Sequence, residues 1–101
     1  MPAKQKLLDP IHPGEILLED FMKPMGISIH QLARDIAVSP GRISGIVNGT
    51  RAITTNTALR LGKYFNVSPA IWIGMQTDHD LRVAQRTTWP EIEKRIHARL
   101  V

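Results

Sequence analysis

Between residues 28 and 49, SIHQLARDIAVSPGRISGIVNG, two serines each stand three residues ahead of a long polar side chain: Ser28 before Gln31, and Ser39 before Arg42. A serine so placed accepts from the backbone N–H three residues on and starts a helix, and the remaining free N–H groups of that first turn can hold a phosphate oxygen. Arg42 adds a planar fork of donors that pairs bidentately with a guanine edge or lies on a phosphate, and the hydroxyls of Ser39 and Ser44 can also reach base edges. Ser28, His30 and Gln31 at the first helix start, with Thr50 and Arg51 after the second helix, suit phosphate contacts, which position a duplex without reading it. For Ser28 and Gln31 the alternative is helix capping alone. For Arg42 it is a solvated or ion-paired surface arginine.

Two short helices must position these groups, one over about 28–36 and the next over about 40–48, joined by roughly three residues. A steep crossing over so short a turn requires a small contact residue, which Ala33 supplies, and an apolar plug in the turn, which Val38 supplies. Ile43, Ile46 and Val47 give the second helix one narrow apolar face. At about 100° per residue, Gly41, Gly45 and Asn48 then point outward, with Arg42 and Ser44 on the flanks. A helix so bare of bulk fits a major groove about 12 Å wide, so double-stranded DNA is the partner this face suits.

The rest of the chain also reads as helix, with no alternating pattern of a strand. Pro13 and Glu15 open a helix that carries Ile16, Leu17 and Phe21 on one face and ends near Lys23, where Pro24 and Gly26 supply the stop. Thr54 caps a fourth helix through Phe65, Ser68-Pro69 opens a fifth, and Pro90 opens a short sixth over about 91–99. The fifth carries two apolar stripes, Trp72, Met75, His79 and Val83 on one side and Ile73, Leu81 and Ala84 on another. One stripe closes the core and the other is free to meet a second subunit, so that two recognition helices span half-sites about one DNA turn apart. The alternative is that both stripes are core, the second covered by Trp89 and Ile92.

Thirteen Lys and Arg against nine Asp and Glu give a formal charge of +4. Residues 1–27 hold Lys4, Lys6 and Lys23 against Asp9, Glu15, Glu19 and Asp20, whereas residues 28–60 hold Arg34, Arg42, Arg51 and Arg60 against Asp35 alone. The excess therefore sits around the serine-capped pair, where it favours an anionic partner. With no cysteine, disulfides and thiolate metal sites are excluded. His12, His30, His79 and His97 share no ligand spacing, and Asp78, His79 and Asp80 point in different directions around a helix, so no metal and no cofactor is expected. No nucleophile motif or glycine-rich phosphate loop suggests an enzyme. No apolar run approaches the roughly 20 residues of a membrane span, so no membrane contact is expected and the cytoplasm is the expected location.

The chain resembles the XRE class of lambda-repressor-like helix-turn-helix proteins, and within it the HigA-type antitoxins, also called the VapI-like group. The residues that carry the likeness are HPGEIL at 12–17, LARDIAVS at 32–39, NGTRAIT at 48–54, ALRLGKYF at 58–65, SPAIWIGMQ at 68–76 and DLRVA at 80–84. The resemblance implies an all-α, five-helix domain that works as a homodimer, binds the operator DNA of its own operon to repress transcription, and neutralises a RelE-like (HigB-type) ribosome-dependent mRNase toxin. It also suggests the acidic start of helix 1, with Glu15, Glu19 and Asp20, as a surface for that toxin. Two residues depart from the family pattern. Pro40 stands where relatives usually carry a polar or basic residue, and Ala37 where glycine is frequent, so the operator sequence is not carried over.

The expected organisation is an N-terminal arm over 1–11, a helix-turn-helix domain over 12–86 and a C-terminal helical tail over 87–101. Dimerisation is expected through helix 5 and the tail. A stand-alone repressor without a toxin, and an interaction module that has lost DNA binding, stay open as alternatives.

Overall fold

The computed structural model describes residues 10–100, and among them every regular element is a helix. Most of the arm expected over 1–11 lies outside the described residues. The first helix, α1, starts at Pro13, with the His12 ring accepting from the Gly14 N–H at 2.9 Å as its cap.

Helix α1 passes through an α-helical stretch Pro13–Ile16, a wider π-helical stretch Leu17–Met22 and a last turn Lys23–Met25. It therefore does not stop before Pro24, as the sequence suggested, but takes the proline into its final turn. A proline inside a regular α-helix clashes with the carbonyl four residues back. The π-helical turns just before Pro24, in which the Lys23 N–H reaches the Leu18 carbonyl, open the spacing there. Gly26, left-handed at φ 66°, then ends the helix.

Helices α2 (Ile29–Asp35) and α3 (Pro40–Val47) form the serine-capped pair, α4 is Thr55–Phe65, α5 is Pro69–Arg86 and α6 is Trp89–Glu93. Helix α6 starts earlier than the 91–99 expected, because Pro90 sits within its first turn, where its missing N–H costs nothing, and it ends sooner, at Glu93.

Among the described residues one core holds α1 to α5 together: Leu17 and Met22 of α1, Leu32 and Ala33 of α2, Ile43 and Ile46 of α3, Ala58 and Leu61 of α4, and Trp72 of α5, with Ile36 and Ile53 from the connections. Phe21, Phe65 and Trp72 meet ring to ring, Phe21 lying 5.0 Å from each of the other two. Helix α1 packs on α3 and α5, α2 on α3, and α4 on α5, so α3 is braced from behind by α1 and α2. Of the two stripes on α5, Trp72 and Ile73 both reach the core, whereas Leu81 stays more than half exposed. Trp89 and Ile92 of the tail are themselves exposed.

Candidate nucleic-acid interface

The local sequence fixes the start of each helix of the pair. The Ser28 hydroxyl accepts from the Gln31 N–H at 3.1 Å and the Ser39 hydroxyl from the Arg42 N–H at 3.2 Å, so both serines cap as expected. Between the helices the chain turns through Ala37, whose φ of 61° is left-handed. The Val38 N–H then returns to the Ala33 carbonyl at 2.9 Å, and Ala33 is buried where α2 meets the turn. The small residue and the half-buried Val38 occupy the places the sequence assigned them.

Ser28, His30 and Gln31 are exposed on and just before the first turn of α2, and Ser39, Gly41 and Asn48 are exposed along α3. Gly41 has open space where a side chain would stand, since a Cβ built on it meets only the Ser39 Oγ, at 4.0 Å. Arg42 and Ser44 are half-buried on the flanks, and the Asn48 amide reaches the Ser44 hydroxyl at 3.4 Å.

Gly45 departs from expectation. A Cβ on Gly45 would lie 3.1 Å from Arg51 Cβ, 3.4 Å from its Cδ and 3.6 Å from the Thr50 hydroxyl, so this glycine is not a bare outward surface. It makes room for the Arg51 stem. The Gly45 carbonyl also collects the Thr50 N–H at 2.9 Å, the Arg51 N–H at 3.1 Å and the Thr50 hydroxyl at 3.2 Å, while Gly49 turns at φ 80°. The glycine thus seats Thr50 and Arg51 against the end of α3. Both stay exposed, and the Arg51 guanidinium has no partner among the described residues.

Asn56 and Arg60 also belong to this region, and the sequence reading missed them as a pair. Arg42 donates to the Asn56 side-chain oxygen at 3.3 Å, Arg60 donates to the same oxygen at 2.8 Å, and Arg60 also donates to the carbonyls of Ile36 at 2.7 Å and Ala37 at 3.1 Å. The four-residue spacing of Asn56 and Arg60 on one helix was the available signal.

Behind α3, His12 and Gln76 were not foreseen either. Gln76, buried on α5, accepts from the Ile53 N–H at 2.7 Å and donates to Asp80 at 2.9 Å. Asp80 also lies 3.2 Å from the His79 Nδ1, and the His79 ring meets His12 edge-on at 4.9 Å. Burial, joined by the His79 ring, holds the His12 pKa below its ordinary 6.5, against a smaller upward pull from Asp80. For Asp80, burial pulls upward, but the hydrogen bonds from Gln76 and His79 and the charge of both histidines outweigh it and leave the carboxyl below its ordinary value. Among the described residues no group of His, Cys, Asp and Glu could hold a metal, and no helix is long and apolar enough to cross a membrane.

A short helix standing on the surface with a serine cap, an open glycine and flanking arginines can lie against a polyanion and present polar groups to it. The helix-turn-helix family model matches residues 18–72. The virulence-associated protein I of Dichelobacter nodosus is 49% identical over 86 residues, which cover 85% of this chain and 80% of that protein. An addiction module antidote protein of the HigA family from Coxiella burnetii superposes with a TM-score of 0.84 at 39% identity, over 91% of this chain and 100% of that one. The Pseudomonas aeruginosa antitoxin HigA, solved with the higBA promoter, superposes with a TM-score of 0.87 at 38% identity, over 90% of this chain and 99% of that one. The chain belongs to the XRE-type helix-turn-helix family, in the branch of the HigA-type and VapI-like proteins.

Proposed function

We propose that this protein is a HigA-type antitoxin that binds its own operator DNA as a dimer, with α3 in the major groove, and so represses transcription. The observation that carries the reading is the exposed surface of α3. Gly41 leaves it open, Arg42 and Ser44 flank it, and Thr50 closes its far end with Arg51, whose guanidinium has no partner among the described residues. Arg42, Ser39 and Ser44 read base edges. Ser28, His30, Gln31, Thr50 and Arg51 hold phosphates, and Asn48 lies on the groove-facing side. The likeness to the HigA solved with its promoter supports the DNA partner.

Dimerisation runs through the end of α5 and the tail, where Leu81, Trp89, Ile92 and Ile96 are all exposed on a stretch that contributes nothing to the core. Apolar side chains left in water along one such stretch favour a protein contact. As a HigA-type antitoxin the protein also neutralises a RelE-like, HigB-type mRNase. It does so as a binding protein, not as an enzyme, and it acts in the cytoplasm. The domain bounds that go with this reading are an arm over 1–11, the DNA-binding domain over 12–86 and the tail over 87–101.

The test is a mobility-shift titration of the protein's own promoter fragment against excess competitor DNA. Saturable binding that resists the competitor is expected, and binding that the competitor removes in proportion to its amount refutes operator recognition. Co-purification with the protein encoded by the adjacent reading frame separates the antitoxin from a stand-alone repressor.

A further inference from the structure

Asn56 is the second residue of α4, and its side-chain oxygen serves two arginines at once, Arg42 of α3 and Arg60 of its own helix. Arg60 is spent in this arrangement, since its Nε goes to Asn56 and one terminal nitrogen goes to the carbonyls of Ile36 and Ala37 in the turn between α2 and α3. That anchor fixes Asn56 relative to the turn. Arg42, by contrast, gives Asn56 a single terminal nitrogen, and its remaining side-chain donors have no partner among the described residues.

We infer that Asn56 is a positioning residue for Arg42: it holds one corner of the guanidinium beside the first turn of α4, so that the free edge meets the base it reads already oriented. This rests on the reading that α3 enters the duplex. A long side chain ordered before binding loses less freedom on binding, and a fork fixed at one corner has fewer ways to pair with a wrong base. Specificity is then set in part by a residue outside the recognition helix, carried by the chain Arg42, Asn56, Arg60 and the Ile36 carbonyl. The same chain joins the arginine to the left-handed turn at Ala37, so α2, α3 and α4 share one polar brace on the surface next to the DNA.

The experiment measures the ratio of operator affinity to affinity for scrambled duplex in the full chain, for wild type, Asn56→Ala, Asn56→Asp, Arg42→Ala and Arg42→Ala with Asn56→Ala, with the melting temperature of each. Loss of one long, exposed hydrogen bond of ordinary strength predicts that Asn56→Ala lowers the ratio about two- to tenfold. Arg42→Ala lowers it further, roughly five- to 150-fold. In the Arg42→Ala background Asn56→Ala has no further effect, because the positioning acts only through that arginine. Asn56→Asp keeps the accepting oxygen, so it restores the ratio while its added charge weakens both duplexes alike. Fully additive losses, or a fall in melting temperature with an unchanged ratio, overturn the positioning role and leave operator binding standing. If Arg42→Ala itself leaves the ratio of a specifically binding wild type unchanged, the base-reading role of Arg42 fails first and this inference with it.

Discussion

Gly14 of α1 lies against the Ile46 carbonyl of α3 so closely that a Cβ at position 14 would overlap the oxygen. This is where α3 is fixed from behind. The same turn of α1 is capped by His12, whose ring lies against Gly49 at the far end of α3. The angle at which α3 stands on the surface therefore depends on a glycine at 14.

Replacing Gly14 with alanine forces α1 and α3 apart, since the atom it meets is backbone and cannot rotate away. Overpacking of this kind costs about 1–3 kcal/mol or more. Thermal and denaturant unfolding should show the loss, and operator binding should fall with it. An unchanged melting temperature would mean that the two helices are not held at this contact.

The opposite effect is expected at the turn between α2 and α3. Ala37 holds φ 61°, a conformation that costs an L-residue about 1 kcal/mol and glycine almost nothing. Ala37→Gly should stabilise the fold by a few tenths to about 1 kcal/mol, somewhat less than the full strain because glycine also gains freedom in the unfolded chain. Denaturant midpoints at constant slope measure it. A destabilised glycine variant would show that the strain is offset by a contact of the Ala37 methyl.

The His12 cap gives stability a pH dependence. The Nδ1 that accepts from Gly14 cannot be protonated, and the folded pKa lies below 6.5, so the unfolded chain binds the more protons just below that pH. This contribution is fully present above pH 6.5 and is lost as pH falls toward the lowered folded value. His12→Asn keeps a capping oxygen and removes the titration. Its stability should vary less between pH 7 and 5 than that of wild type, and identical slopes would contradict the assignment.

Much of this arrangement could be read from the residues alone, and the exceptions have physical causes. Serine caps at 28 and 39, the small Ala33 and the open Gly41 are local signals, and the structure bears them out. Gly45 was misread because helical periodicity gives the direction of a side chain but not what folds over it, and Arg51 returns across it only after the Gly49 turn. The pairing of Arg42 with Asn56 spans 14 residues and depends on how α4 docks, which no local pattern encodes. Buried Gln76 was hidden for the same reason, its partner Ile53 being 23 residues away.

The exposed stripe at the end of the chain leads to a prediction about assembly. Leu81→Glu combined with Ile92→Glu places two charges where apolar side chains stand exposed and outside the core, so the monomer fold should be unharmed. Sedimentation should find a dimer for wild type and a monomer for the variant, with a shallower operator titration. A variant that remains dimeric would move the interface elsewhere.

The most direct test of α3 as a DNA-reading helix is operator affinity at a series of salt concentrations for wild type, Arg42→Ala and Arg51→Ala. Arg42→Ala should lose about 1–3 kcal/mol on the operator and little on scrambled duplex, whereas Arg51→Ala should weaken both alike and reduce the salt slope by about one. If neither substitution changes affinity, specificity or slope, α3 and the loop behind it do not touch the duplex.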